Sequence, residues 1–127
     1  MASGYIGILA VELYFPENGS LKGKRKYLKS ATAQLHQRFG ASVAEVNHHE
    51  LWQRAALTVV CVARRYSELN ELLAAAERYL SAQEYELIRS ERRVMSVEEL
   101  SADPYPATLA LEGAGWDGNL DEMRGSD

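Results

Sequence analysis

An α+β domain whose elements run β-α-β-β-α-β is predicted by three observations. Residues 4–15 and 52–63 show the alternation and the β-branched and aromatic enrichment of strands, whereas residues 21–39 and 67–82 repeat their apolar positions at helical spacing. The 127 residues are enough for one domain with a real core and too few for two ordinary ones. With 46% hydrophobic and 25% charged residues, the chain has the composition of a globular protein rather than a collagenous, disordered or disulfide-built one.

The first strand, GYIGILAVELYF over 4–15, alternates around Leu9, Val11 and Leu13 and stops at Pro16 in the loop PENG. Ser20 is then an N-cap, and Leu21, Leu28, Ala31, Leu35 and Phe39 mark a helix that ends at Gly40. ASVAEV over 41–46 reads as a short strand, NHHEL as a turn, and WQRAALTVVCVA over 52–63 as a long strand forming a hairpin with it. The second helix, over 67–82, has Ser67 as its cap and a stripe of Leu69, Leu72, Leu73, Ala76 and Leu80. A last strand over 85–96 carries a charged outer edge, which protects it from pairing with other chains.

This order is that of the ferredoxin-like split βαβ fold, a four-stranded antiparallel sheet with two helices on one face. Right-handed crossovers place the first and third strands at its centre. The domain is expected over residues 1–96. Residues 97–127 hold one basic and eight acidic residues with no sustained periodicity, and are expected to be a mostly disordered acidic tail with one helical turn near 97–100. The charge divides accordingly: residues 1–96 carry 13 Lys and Arg against 10 Asp and Glu, so the net charge of −4 reflects the tail and does not exclude an anionic partner.

Cys61, the one cysteine, lies in an apolar strand and has no partner for an internal disulfide, which suits a reducing cytoplasm. The N-terminus lacks a basic region before its apolar run, and no stretch approaches the ~20 apolar residues of a membrane span. A cytoplasmic location and no membrane association are therefore expected. Both central strands are apolar on their two faces: Ile6, Ile8 and Ala10 oppose the Leu9 set, and Ala56, Thr58, Val60 and Val62 oppose Leu57, Val59 and Cys61. A two-layer fold leaves one such face uncovered, for a partner, a second copy or the tail.

The densest charge lies in SLKGKRKYLKS, where Lys22, Lys24, Arg25, Lys26 and Lys29 fall within eight residues. At ~100° per residue Lys22, Arg25, Lys26 and Lys29 share one helix face, with His36 at its edge and Leu21, Leu28 and Leu35 on another. Cations complement a helix C-terminus, not its first turns, and no acid stands four residues on to pair with them. A plain solvated face is one interpretation. Together with the free N–H groups of the helix start, the five cations are equally a phosphate-binding surface, with an RNA backbone as its partner.

In SVAEVNHHELWQRA over 42–55, Glu45, His48 and His49 lack metal-site spacing, since adjacent residues of an extended chain point apart. No metal and no cofactor are expected. Trp52 is expected to pack into the hairpin, the alternative being a stacking platform for a base beside Gln53 and Arg54. Glu12 and Glu45 form either a carboxylate pair or ion pairs with Arg54, and structural pairing is expected. Nucleophile elbows, P-loops, dinucleotide-binding glycines and catalytic triads are all missing from the sequence, so nothing points to an enzyme. The aromatic strand motif of sheet-face RNA binders is missing from 59–65.

The elements SLK-x-KR over 20–25, LKS over 28–30, RF at 38–39 and SVAEV-x-H-x-x-LWQRA over 42–55 resemble the YlxP-like family of small bacterial proteins of unknown function. The likeness covers about residues 5–95. It implies a ferredoxin-like fold, and a setting among the genes of transcription and translation, beside initiation and ribosome-binding factors. Gly23 stands where the family usually has a polar or charged residue, and it removes the Glu of a capping box after Ser20.

Residues and resemblance together lead to a non-enzymatic RNA- or ribosome-associated protein whose partner is ribosomal RNA or a ribosomal subunit. Lys22, Lys24, Arg25, Lys26 and Lys29 would contact phosphates, and His48, Trp52 and Arg54 would form a neighbouring contact surface. The alternative is a protein-interaction module that forms a homodimer or docks through its open sheet face.

Overall fold

Alternating burial along two long strands organises the molecule. In the computed structural model, which describes residues 3–101, β1 (Tyr5–Tyr14) and β3 (Arg54–Ala63) pair antiparallel from Tyr5 opposite Ala63 to Tyr14 opposite Arg54. Leu9, Val11 and Leu13 of β1 and Leu57, Val59 and Cys61 of β3 all turn to the same side, where they are buried. β2 (Ser42–Asn47) pairs with β3, and β4 (Glu86–Ser96) with β1. The strand order is β2-β3-β1-β4, with β1 and β3 central as the crossover rule requires. This is the ferredoxin-like α+β arrangement.

The helices α1 (Leu21–Phe39) and α2 (Tyr66–Ser81) close the core. Leu28, Ala31 and Leu35 from α1 and Leu69, Leu73, Ala76 and Leu80 from α2 pack with the strand residues in one cluster, and Phe15, Tyr27 and Tyr85 seal its end with ring centroids 5.1–5.9 Å apart. Gly7 lets α2 come close to β1: a Cβ there would stand 2.8 Å from the Cδ1 of Leu73 and 3.0 Å from Leu69. Gly40 ends α1 in the left-handed conformation, its N–H donating to the His36 carbonyl.

Most boundaries differ from the sequence reading by a residue or two, and two of the differences have a local cause or consequence. β3 begins at Arg54, not at Trp52, because the backbone of 48–53 is engaged by side chains from outside the hairpin, as described below. α2 begins at Tyr66 with Arg65 as N-cap and no side-chain cap bond, so Ser67 lies inside the first turn. α3 (Val97–Ser101) follows β4 directly where one helical turn is expected, the Val97 N–H donating to the Gly4 carbonyl; the rest of the acidic tail lies outside the described residues.

Each edge strand has a register shift. Opposite Glu12 and Leu13, β4 carries an extra residue, Ile88; opposite β3, β2 carries Val46. Both side chains are exposed. The uncovered sheet face holds Ile6, Ile8, Val60 and Val62, of which Val62 is 68% exposed.

Candidate functional site

α1 contains no acidic residue, and its two faces have opposite fates. Positions 24, 28, 31 and 35 form the buried stripe. Lys22, Arg25, Lys26 and Lys29 lie on the far side, exposed and without an ion-pair partner among the described residues. His36 is exposed near them, its Nδ1 donating to the Ala41 carbonyl at 3.3 Å.

Lys24 does not belong with them, and its assignment to phosphate contacts is corrected here. Its side chain is 1% exposed and lies in the apolar stripe, one turn before Leu28. The ammonium donates to Glu45 Oε2 at 2.9 Å and to the carbonyls of His48 (2.8 Å), Arg54 (3.2 Å) and His49 (3.3 Å). Three protons meet four acceptors, so one is shared. An ammonium desolvated to this degree is tolerable only because it is paired and fully hydrogen-bonded. Its role is structural: it ties the first turn of α1 to both ends of the 48–54 loop.

The same loop is held from other directions. Asn18 Nδ2 donates to the carbonyls of Trp52 (2.6 Å) and Ser20 (2.7 Å), the Phe15 N–H to the Gln53 carbonyl (2.9 Å), and Gln53 Nε2 to the Pro16 carbonyl (3.0 Å). Gly23 acquires a reason here: a side chain at that position would run into the Asn18 amide. The capping-box glutamate is absent because Asn18 fills its space, while Ser20 Oγ still accepts from the Gly23 N–H at 3.0 Å.

Within this frame Trp52 is 55% exposed, contrary to the expected hairpin packing. The loop carbonyls are satisfied by Lys24, Asn18 and the Phe15 amide in an arrangement that turns the indole outward. His48 takes a left-handed backbone conformation (φ 65°), its carbonyl accepting from Lys24 and from the Leu51 N–H and its own N–H donating to Asn47 Oδ1. Its imidazole reaches the uncovered sheet face, where Nε2 donates to Glu12 Oε2 at 3.1 Å. Arg54 Nη1 lies 3.5 Å from the same oxygen, so Glu12 pairs structurally, as expected. His49 donates separately to the Glu45 carbonyl, and no metal-ligating group of three His, Cys, Asp or Glu exists among the described residues.

Two depressions lie near these residues. One, of about 530 Å³, is lined by Tyr14, Glu50, Leu51, Trp52, Gln53 and Arg54. The other, of about 330 Å³, lies on the open sheet face beside Glu12, His48, Ala56 and Arg89. Asn18 and Lys24 thus tie the backbone of the 48–54 loop to the first turn of α1.

Comparison with known proteins places these residues in a family. Residues 6–92 match the model of a protein family of unknown function, DUF503. The chain belongs to the DUF503 family. A member-like relative, the uncharacterised protein YlxP of Bacillus subtilis (strain 168), is 30% identical over 73 residues, spanning 54% of this chain and 79% of the relative. Among solved structures, the de novo designed protein Ferredog-Diesel aligns at 13% identity over 71% of this chain and 83% of the design, with a TM-score of 0.36.

The DUF503 match includes both dense stretches, 20–30 and 42–55. What sequence reasoning missed in them is the pairing of Lys24 with Glu45. The signal was available: position 24 is four residues before Leu28 on the apolar side, and a buried cation there needs an acid from the facing strand.

Proposed function

We propose that this DUF503 protein is a cytoplasmic, non-enzymatic RNA-associated protein, acting in ribosome assembly or translation, that contacts phosphates through Lys22, Arg25, Lys26 and Lys29. One observation supports this most: the four side chains are exposed on a helix without a single acid, and no carboxylate among the described residues pairs with them. Four acids elsewhere on the domain are paired, Glu12 with His48 and Arg54, Glu45 with Lys24, Glu77 with Arg92 and Glu91 with Arg89, and none of these pairs involves the four cations. A cationic face left uncompensated favours an anionic partner. Four phosphate contacts predict a slope of log affinity against log salt near −3 for single strands, and hence binding that fades at moderate salt unless other contacts add to it.

Co-sedimentation with purified small subunits, large subunits and whole ribosomes at two salt concentrations tests the proposal. The variant to compare is Lys22/Arg25/Lys26/Lys29→Glu, which leaves Lys24 in place so that the fold is kept. Saturable binding to one particle, lost in the variant, is expected. Absence of saturable binding by the folded wild type refutes the ribosomal setting.

A second reading has its own support: docking, including homodimer formation, through the uncovered sheet face, where Val62 is exposed beside half-buried Ile6, Ile8 and Val60. Val60→Glu and Ile8→Glu would abolish such docking and leave salt-dependent RNA binding intact.

A further inference from the structure

We infer that the depression lined by Tyr14, Trp52, Gln53 and Arg54 is a seat for one unpaired base of single-stranded RNA, so that the protein selects single strands over duplex. The inference rests on the RNA reading above and specifies the kind of RNA. Its starting point is the exposure of Trp52. A tryptophan 55% exposed on a loosely held loop would be an incidental apolar residue, but this loop is not loosely held. The carbonyls of His48, His49, Trp52, Gln53 and Arg54 each accept a hydrogen bond from Lys24, Asn18 or the Phe15 amide. Gln53 is held in addition through its side chain, which donates to Pro16. The ordering cost of the loop is thus met within the folded protein, and a ligand stacking on the indole meets a surface already in position.

The chemistry around the indole selects the ligand. Tyr14 supplies a second, half-buried aromatic ring, and Leu51 an apolar wall. Arg54 is half-exposed, with one long contact to Glu12 at 3.5 Å, which leaves most of its five N–H donors for a base edge or a phosphate. Gln53 donates through Nε2 to Pro16 and keeps its carbonyl oxygen as an acceptor. Glu50 in the lining disfavours a free anion in the depression, which suits an uncharged ring there and its phosphates outside. The volume of about 530 Å³ lies in the range of small-ligand sites, roughly 300–1,000 Å³. Asn18 donates to the backbone carbonyls of both Trp52 and the cap residue Ser20, so the loop backbone is tied to the start of α1. A single strand can present an unpaired base to this seat, whereas the bases of a duplex are stacked inside it and out of reach.

The test uses the full chain, fluorescein-labelled 12-mers of adenylate and of uridylate, and an RNA duplex of the same length, with affinities read by anisotropy across a salt series. Wild type is expected to prefer a single strand at least 10-fold. Trp52→Ala is expected to lose about 5- to 150-fold in single-strand affinity, the span of one stacked base, with the salt slope and duplex affinity unchanged. Trp52→Phe should recover part of the loss. In a Trp116→Phe background, the emission of Trp52 should be quenched on binding single strands and not duplex. Lys22/Lys26→Glu should weaken both RNAs and flatten the slope. If Trp52→Ala changes single-strand affinity less than twofold while Lys22/Lys26→Glu still weakens it, the base seat is overturned and the phosphate reading stands. If wild type binds neither RNA, both are overturned.

Discussion

Replacing Lys24 by methionine separates a structural ammonium from a surface cation. Methionine keeps the length and apolar stem of the side chain and removes the charge. The Glu45 carboxylate, itself 22% exposed, then loses its partner at 2.9 Å, and the carbonyls of His48, His49 and Arg54 lose their shared donor. Breaking one side of a buried ion pair costs about 3–5 kcal/mol. Water entering the loosened loop satisfies the carbonyls, so their separate penalties of about 1–3 kcal/mol each do not add in full. The expected loss is therefore about 3–5 kcal/mol, a large part of the stability of a domain this size. Urea denaturation followed by circular dichroism measures it, with Lys22→Met as a surface control expected within about 0.5 kcal/mol of wild type. Pairing Lys24→Met with Glu45→Gln should recover at least about 1 kcal/mol, since the buried charge is then gone from both sides. A cost for Lys24→Met below about 1 kcal/mol would refute the structural role and return Lys24 to the basic surface.

Three further outcomes follow from the packing. Gly7→Ala should destabilise by about 1–3 kcal/mol in the same assay, because the new methyl group meets Leu69 and Leu73 of α2 at 2.8–3.0 Å; a neutral result would mean that α2 shifts freely. Glu77 is held below the ordinary glutamate range by the hydrogen bond from Ser90 and the ion pair with Arg92 at 2.7 Å, burial opposing both. Its ionised form therefore favours the fold above the ordinary glutamate pKa of about 4.3, and this contribution is lost as pH falls through the lower folded value. The stability gap between wild type and Glu77→Gln should then be wide at pH 7 and narrow toward pH 3, and a pH-independent gap would contradict the pairing. Cys61 is buried in β3 and burial pushes its thiol pKa up, so an aromatic disulfide reagent should label it only at the rate of unfolding; rapid labelling of the native protein would contradict the core described here.

The sequence by itself determined the element order and the core. Alternation in β1 and β3 and the helical stripes of α1 and α2 are local periodicities, and each reports the face that must be buried whatever the partner. The central placement of β1 and β3 also followed, because crossover handedness leaves little choice once the order is known. The basic face of α1 was legible for the same reason: Lys22, Arg25, Lys26 and Lys29 are neighbours on one helix.

Contacts between residues distant in sequence were not legible in this way. Lys24 looked like one more cation until Glu45, His48, His49 and Arg54 closed around its ammonium from 21 to 30 residues away. Gly23 looked like a weakened cap until Asn18 was seen to fill its space and brace Trp52 from 34 residues away. Only the tertiary structure turned Trp52 outward and brought His48 to Glu12, since which donors find which acceptors depends on where the chain returns in space, not on the spacing along it.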